Sequence, residues 1–424
     1  MLKQIEGSRA VAEAVAMCRP QVICAYPITP QTHIVEALSA LVKTGQLRAE
    51  FLNVESEFAA MSAVIGACAA GARTYTATAS QGLLFMSEAV YNASGLGLPI
   101  VMTVANRAIG APINIWNDHS DAMSQRDSGW IQLYAETNQE ALDLHIQAFR
   151  IAEQLSNPVM VCMDGFLLTH ASERVDLPAP DQVDGFLPPY EPRQVLDPAE
   201  PVSIGAMVGP EAFTEVRYLS YQRMQDALDV IPAVAGQFSA VFGRSSGGLV
   251  RGYRTEDAEL VVVALGSVLG TIKDTVDELR ADGTRIGVLG ITSFRPFPVQ
   301  AVRDVLGTDR RLRRIVVLER ALAPGTGDIL TADIRRALAA EDGKPPHAPD
   351  AIVSTVIAGL GGRAVTRGSL HAMLTKAASG RLGPMTFLDL DTDLVDRELA
   401  RMRATRRSGP NAENMLRDLM STKG

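Results

Sequence analysis

Through residues 8–165, short apolar, β-branched runs alternate with longer segments of helical period. This alternation constrains the fold more than any other feature. It predicts an α/β architecture, a doubly wound parallel sheet with crossover helices on its faces. The expected strands are Gln21–Tyr26, Phe51–Val54, Thr74–Ala79, Ile100–Ala105 and Val159–Met163. Small residues crowd the helices between them, as in Ala59-Ala60-Met61-Ser62-Ala63 and Gly66-Ala67-Cys68-Ala69-Ala70-Gly71. Such helices pack closely against the sheet or against a neighbouring subunit.

A chain of 424 residues exceeds what one core fills, since single cores stop growing near roughly 250–300 residues. From about Leu177 the sequence turns proline-rich, as in Leu187-Pro188-Pro189-Tyr190-Glu191-Pro192, and reads as an extended crossing. A second alternation starts near Glu259. It predicts strands at Leu260–Leu265, Arg285–Leu289, Arg314–Leu318 and Ala351–Ile357, with a helix near Thr271–Arg280. The division expected is therefore a first α/β domain over 1–176, a crossing over 177–255, a smaller α/β domain over 256–365, and a helical tail over 366–424. The tail's weak apolar content suggests that it docks on a partner chain.

Composition narrows the function. Hydrophobic residues at 47% and charged residues at 21% are ordinary globular values. A formal charge of −8 offers no general attraction to nucleic acid or anionic lipid, and the late basic residues Arg401, Arg403, Arg406 and Arg407 read as a solvated face. Cys18, Cys24, Cys68 and Cys162 are scattered in apolar stretches with no CxxC spacing, which argues against an iron–sulfur or zinc framework within the chain. No signal-peptide core and no run of the roughly 18 apolar residues that span a bilayer is present, so a cytoplasmic location without membrane partners is expected.

In open α/β sheets, ligands gather beyond the carboxyl ends of the strands, so the loops there carry the chemistry. Tyr26-Pro27-Ile28-Thr29-Pro30 forms a stiff shelf with a hydroxyl at Thr29, and a helix is expected to start at Pro30. This suits an anion, although a capping threonine followed by proline reads equally well. Glu55-Ser56-Glu57-Phe58 heads the small-residue helix. Its carboxylates complement the helix dipole, or one of them is desolvated and shares a proton with a basic nitrogen. Ser80-Gln81-Gly82 offers space for a flat ring, or simply a serine cap and a turn glycine. Arg107, at the end of the fourth strand, is a bidentate partner for a carboxylate, or a surface ion pair. Asp118 and His119 lie in a polar cluster, where a structural role for the histidine competes with proton transfer. No GxGxxG opens a helix after a strand, and neither GxxxxGK[ST] nor HExxH occurs.

Taken in order, Tyr26-Pro27-Ile28-Thr29-Pro30, Val54-Glu55-Ser56-Glu57, Gly71-Ala72-Arg73-Thr74, Ser80-Gln81-Gly82, Asn106-Arg107-Ala108 and Asn114-Ile115-Trp116-Asn117-Asp118-His119-Ser120-Asp121 resemble the α subunit of pyruvate:ferredoxin-type 2-oxoacid:acceptor oxidoreductases. Phe294-Arg295-Pro296-Phe297-Pro298, Val317-Leu318-Glu319-Arg320 and Gly359-Leu360-Gly361-Gly362-Arg363 extend the likeness into a transketolase C-terminal-like domain. The resemblance implies that the first domain is the pyrimidine-binding module for thiamine diphosphate. The diphosphate and Mg²⁺ would then lie on a β subunit, in keeping with the lack of a G-D-G…N segment here. It further implies a γ subunit, iron–sulfur clusters on a ferredoxin-like subunit, a flavin subunit where the acceptor is a nicotinamide, and coenzyme A as co-substrate.

By the same resemblance, Glu57 holds the aminopyrimidine and promotes its imino tautomer, and Thr29 and Arg107 bind the 2-oxo acid carboxylate. Pro27, Ile28, Ser80 and Gln81 line the cofactor, with Phe58, Asp118 and His119 as further pocket positions. Many relatives of the pyruvate branch carry His after the second Glu, whereas this chain has Phe58. Pyruvate is the expected substrate, with an aromatic 2-oxo acid such as phenylglyoxylate as the alternative. Two other readings remain open, a lipoyl-linked 2-oxo acid dehydrogenase component and a non-catalytic scaffold subunit.

Overall fold

The computed structural model describes residues 1–307, 311–340, 346–348, 350–404 and 409–421; Arg406 and Arg407 lie outside them. The strands, in chain order, are β1 Leu2–Glu6, β2 Val22–Ala25, β3 Glu50–Asn53, β4 Thr74–Thr78, β5 Val101–Asn106, β6 Ile131–Tyr134, β7 Val159–Asp164, β8 Ser172–Asp176, β9 Val250–Tyr253, β10 Leu260–Ala264, β11 Ile286–Ile291, β12 Ser293–Arg295, β13 Arg314–Glu319, β14 Ile352–Ile357 and β15 Met385–Phe387. One sheet has seven strands in the order β12-β6-β7-β5-β4-β2-β3, and another has six in the order β15-β14-β13-β10-β11-β9. Both are parallel except for one antiparallel edge strand each, β12 and β9. Strands β1 and β8 pair antiparallel in a separate ribbon.

The nine expected strands fall on β2, β3, β4, β5, β7, β10, β11, β13 and β14 with ends shifted by a residue or two, the last of them, Ala351–Ile357, on β14. Nine are thus matched, and the helix near Thr271–Arg280 lies within the helix Val268–Ala281. Every residue of β4, β5 and β7 is buried, as expected of central strands covered on both faces. The helix Asn138–Leu155 covers one face; its Thr137 cap accepts from the Glu140 amide at 3.1 Å.

The other face meets the second domain. Met102, Val104, Tyr134, Met160 and Cys162 share one core with Val261, Val263, Leu289, Phe294, Ile315 and Val317. The link is also a backbone one, because β12 leaves the second domain to pair with β6 at the edge of the first sheet. Phe294 is buried there, edge-on to Tyr134 with ring centroids 6.0 Å apart.

Two stretches differ from expectation. Residues 177–255, read as an extended crossing, contain the short helix Pro180–Phe186 and a 30-residue helix, Phe213–Phe242, with Pro232 inside it. The second half of that helix buries Ala227, Ile231, Val234 and Phe238 in the core of the first domain, and this packing outweighs the proline. The stretch after Arg363 also belongs in part to the second domain. Helix Arg367–Ala378 buries Leu370, Met373 and Leu374, and β15 extends the sheet beside β14. No described helix is long and apolar enough to cross a bilayer.

Phe294→Ala should cost about 3–5 kcal/mol, because it opens a cavity where the two sheets meet. Denaturant unfolding of the full chain measures this, and an unchanged midpoint would mean that β12 does not hold the domains together.

Candidate active site

Glu57 is the first residue of the helix Glu57–Ala69, set there by Ser56, whose side chain accepts from the Ala59 amide at 3.1 Å. The residue is only 7% exposed. Its carboxyl makes no hydrogen bond or ion pair to any described residue. Gly82 lies against it: a Cβ there would come 2.5 Å from Glu57 Oε1 and 2.6 Å from Thr78 Oγ1. The Thr78 hydroxyl is itself buried with no described partner. A buried acceptor, an orphaned hydroxyl and a glycine whose missing Cβ leaves both uncrowded thus form one cradle, and such groups call for a polar partner.

Ser80 takes up a left-handed backbone conformation with φ +48°. That geometry strains a residue with a side chain and persists only where the surroundings hold it. Its amide is not free for a ligand, because it donates to Asp121 Oδ2 at 2.9 Å, and its hydroxyl lies in reach of the Ala108 carbonyl and Gln81 Oε1.

The shelf after β2 is built differently from expectation. The helix begins at Thr32, and Pro30 and Gln31 belong to the turn before it. Gln31, buried, donates to the Ala77 carbonyl at 2.7 Å and accepts from the Ile28 amide at 3.3 Å, pinning the shelf to β4. Pro27 and the Thr29 side chain remain exposed, and Ile28 is half-buried. Arg107, buried, donates from Nη1 to the Thr29 carbonyl (2.9 Å) and from Nε to the Asn114 carbonyl (3.1 Å). Its Nη2 has no partner among the described residues. Burial pushes the guanidinium down from its ordinary value, and Asp121 opposes that shift.

Asp121 is the residue that sequence reasoning quoted but gave no role. Fully buried, it accepts from Ser80 N and Arg107 N through Oδ2 (both 2.9 Å) and from Asn106 Nδ2 (2.8 Å) and Ala122 N (2.7 Å) through Oδ1. It therefore clamps the ends of β4 and β5 together. Burial raises its carboxyl to about 6, with Asn106 and the three amides pulling the other way.

Asp118 and His119 are placed between the two sheets. Asp118 accepts from Ser120 N at 3.0 Å and from Gly361 N at 3.2 Å. His119, fully buried, pairs through Nε2 with Asp164 Oδ1 at 2.6 Å. Asp164 also accepts from Arg320 at 2.7 Å and from the Ser267 amide and hydroxyl. Burial alone would raise the Asp164 carboxyl, but Arg320, His119 and Ser267 hold it below the ordinary carboxylate range. His119 is thus engaged in a contact across the domains rather than on an open wall.

Phe58 is half-exposed beside the exposed Phe85, with ring centroids 6.4 Å apart, and Tyr26, Ile113 and Trp116 are exposed as well. A cleft of about 910 Å³ beside Tyr221, Met224 and Phe297 includes none of these site residues. The assembled groups form an open wall with an apolar rim, a surface that a second chain can complete.

The two-sheet arrangement with this wall at the strand ends defines a transketolase-like α/β protein. Its fold is similar to that of 2-oxoglutarate:ferredoxin oxidoreductase from Magnetococcus marinus with 2-oxoglutarate, coenzyme A and succinyl-CoA bound, at a TM-score of 0.65 and 17% identity, covering 89% of this chain and 65% of that one. It is similar also to a split gene transketolase, an inactive beta4 tetramer, with a TM-score of 0.51 and 14% identity over 90% of this chain and 100% of that one. At these identities the likeness concerns the fold alone. In sequence, residues 13–235 match the family described as pyruvate flavodoxin/ferredoxin oxidoreductase, thiamine diphosphate-binding, and residues 258–370 match pyruvate:ferredoxin oxidoreductase core domain II. Pyruvate synthase subunit PorA of Methanosarcina barkeri is 54% identical over 76% of this chain and 81% of its own length. Ketoisovalerate oxidoreductase subunit VorA of Pyrococcus abyssi is 38% identical over 88% of this chain and 92% of its own. The chain belongs to the α-subunit family of the 2-oxoacid:ferredoxin oxidoreductases and is of the pyruvate synthase type.

For Asp121, folding raises the carboxyl from 3.8 to about 6. Its contribution to stability is therefore present below the unfolded value and lost as pH rises through about 6. Protonation also removes an acceptor from the clamp on Ser80 and Arg107. In the assembled enzyme, KM for the 2-oxo acid should rise as pH falls through about 6, and Asp121→Asn should give a raised KM with that pH step gone. Parallel KM–pH profiles for the two proteins would contradict the clamp.

Proposed function

We propose that this chain supplies the pyrimidine-side wall for thiamine diphosphate and the carboxylate site for a 2-oxo acid, with pyruvate favoured, in an oxidative decarboxylation to acyl-CoA. The observation that carries this reading is the buried Glu57 carboxyl, without a partner among the described residues, lying against Gly82, where a Cβ would crowd it at 2.5 Å. A planar, nitrogen-bearing ring fits that cradle, because it needs both an acceptor and the space that a methyl group would take.

When bound, thiamine diphosphate supplies the carbon nucleophile and the electron sink for loss of CO₂. Glu57 shares a proton with a ring nitrogen and so selects the tautomer. Gly82 leaves room for the ring, and the Thr78 hydroxyl offers a further polar contact. Pro27, Ile28, Ser80 and Gln81 border that space. Arg107 presents its free Nη2, and Thr29 its exposed hydroxyl, to the carboxylate of the oxo acid; Asp121, Gln31 and the Asn114 carbonyl hold them in place. The apolar rim of Tyr26, Phe58, Phe85 and Trp116 excludes water once it is covered.

On this reading the chain would work in the cytoplasm with a β subunit carrying the diphosphate and Mg²⁺, a γ subunit, and a ferredoxin-like subunit whose iron–sulfur clusters would supply the electron acceptors. Coenzyme A takes the acyl group. The aromatic alternative rests on Phe58, whose half-exposed ring projects from the first turn of the cradle's helix, next to Glu57 in sequence.

Coenzyme A-dependent viologen reduction by the reconstituted complex tests the reading. Glu57→Gln should lower kcat by about 10²–10⁴-fold; full turnover would leave a scaffold role. Arg107→Ala should raise KM for pyruvate by roughly 10–100-fold, the worth of a lost charged hydrogen bond, with far less effect on cofactor affinity. Equal loss of both would remove its assigned role. Among pyruvate, 2-oxoglutarate, 2-oxoisovalerate and phenylglyoxylate, pyruvate should show the highest kcat/KM, and phenylglyoxylate in first place would favour the aromatic reading.

A further inference from the structure

Away from this wall, three elements bring metal-ligating side chains together. Glu6 ends β1, His33 lies in the first turn of the helix Thr32–Lys43, and His170 follows β7. One potential ligand atom from each lies within 4.8 Å of the other two. Glu6 Oε1 is 2.7 Å from His33 Nδ1, and the two imidazole rings lie with centroids 4.4 Å apart. His170 Nδ1 bonds Thr169 Oγ1 at 2.7 Å, no hydrogen bond to Nε2 occurs among the described residues, and Phe166 packs against the ring at 4.7 Å between centroids.

We propose that Glu6, His33 and His170 form a binding site for a divalent cation of the zinc class. Two imidazoles and one carboxylate are a donor set that such borderline cations favour over Mg²⁺ or Ca²⁺. With metal–nitrogen bonds of about 2.0–2.1 Å, two imidazoles on one tetrahedral ion place their ring centres roughly 5.2 Å apart, so the rings of His33 and His170, 4.4 Å apart, have to spread by about 1 Å to share it. The Glu6 carboxylate has to move only from hydrogen-bonding His33 to sharing the ion with it. Thr169 acts as the outer partner that fixes the His170 ring, as hydrogen-bonded neighbours of metal-bound histidines do. Because His33 and Glu6 are partly exposed, the fourth position is open to water. The ion would staple the N-terminal strand and the turn after β7 to the helix that follows the Thr29 shelf, and its role would be structural. This inference stands on its own geometry and is independent of the proposed chemistry at Glu57.

The test uses the full-length chain free of any histidine tag and stripped with a chelator. Calorimetric titration with Zn²⁺ should show one equivalent bound, and Co²⁺ should give the visible absorption of a low-coordinate site. His33→Ala and Glu6→Gln, both at partly exposed positions, should each weaken Zn²⁺ binding at least about tenfold, and Thr169→Ala about tenfold through His170. Zn²⁺ should raise the melting temperature of the wild-type chain but not of His33→Ala. Absence of stoichiometric binding, or equal binding by wild type, His33→Ala and Glu6→Gln, would overturn the proposal.

Discussion

One buried carboxylate, Asp164 at the end of β7, holds the two domains in the relation that the site needs. It meets His119 on one oxygen and Arg320 and Ser267 on the other, with all but His119 of these partners coming from the second domain. Breaking such a buried pair from one side typically costs about 3–5 kcal/mol, because the remaining charge is stranded. The consequence reaches Arg107 through the loop between them. His119 anchors the far end of that loop, its amide donating to the Arg320 carbonyl at 2.8 Å, and the Asn114 carbonyl earlier in the loop accepts from Arg107. Asn114, Asn117 and Asp118 also bond the turn Gly359–Arg363. The guanidinium is therefore aimed by a loop that only the assembled pair of domains can hold.

Asp121 and Asp164 divide the electrostatic work. Asp164, balanced by a guanidinium and an imidazole, stays ionised deep in the protein. Asp121 faces only neutral donors, and burial accordingly moves its titration toward neutral pH. The first fixes domain against domain, and the second fixes strand end against strand end. Between them they leave Glu57 and the Arg107 Nη2 without partners among the described residues, beside exposed aromatic side chains. On the proposed function this is half of a site, the other half of which another polypeptide would supply.

Much of the first sheet was legible in the sequence, because β4, β5 and β7 are buried on both faces and read as short runs of β-branched and apolar residues, threonines included in β4. The loops at their ends were legible for the same reason: once the strands are placed, the topology brings Glu57, Ser80 and Arg107 to one edge. The missed pieces depend on distant contacts. Ser293–Arg295 becomes a strand only because β6 lies beside it, and β6 itself is four residues long. The helix Phe213–Phe242 hides behind Pro232 and an exposed apolar first half, and its packing on the helix Asn138–Leu155 cannot be read locally. His119 and Asp121 sat in a recognised polar motif, but their neighbours Asp164, Ser80 and Arg320 come from other strands. Gln31 gave no local signal, since only the fold brings the Ala77 carbonyl within its reach.

The central claim is that an acidic side chain on this polypeptide controls a ring nitrogen of a cofactor gripped by another. A cryo-electron microscopy structure of the assembled complex with thiamine diphosphate measures this directly. The account predicts Glu57 within hydrogen-bonding distance of the aminopyrimidine, with the ring seated over Gly82 and the diphosphate held by a different chain. A cofactor held wholly within one polypeptide, or one lying far from Glu57, would contradict it.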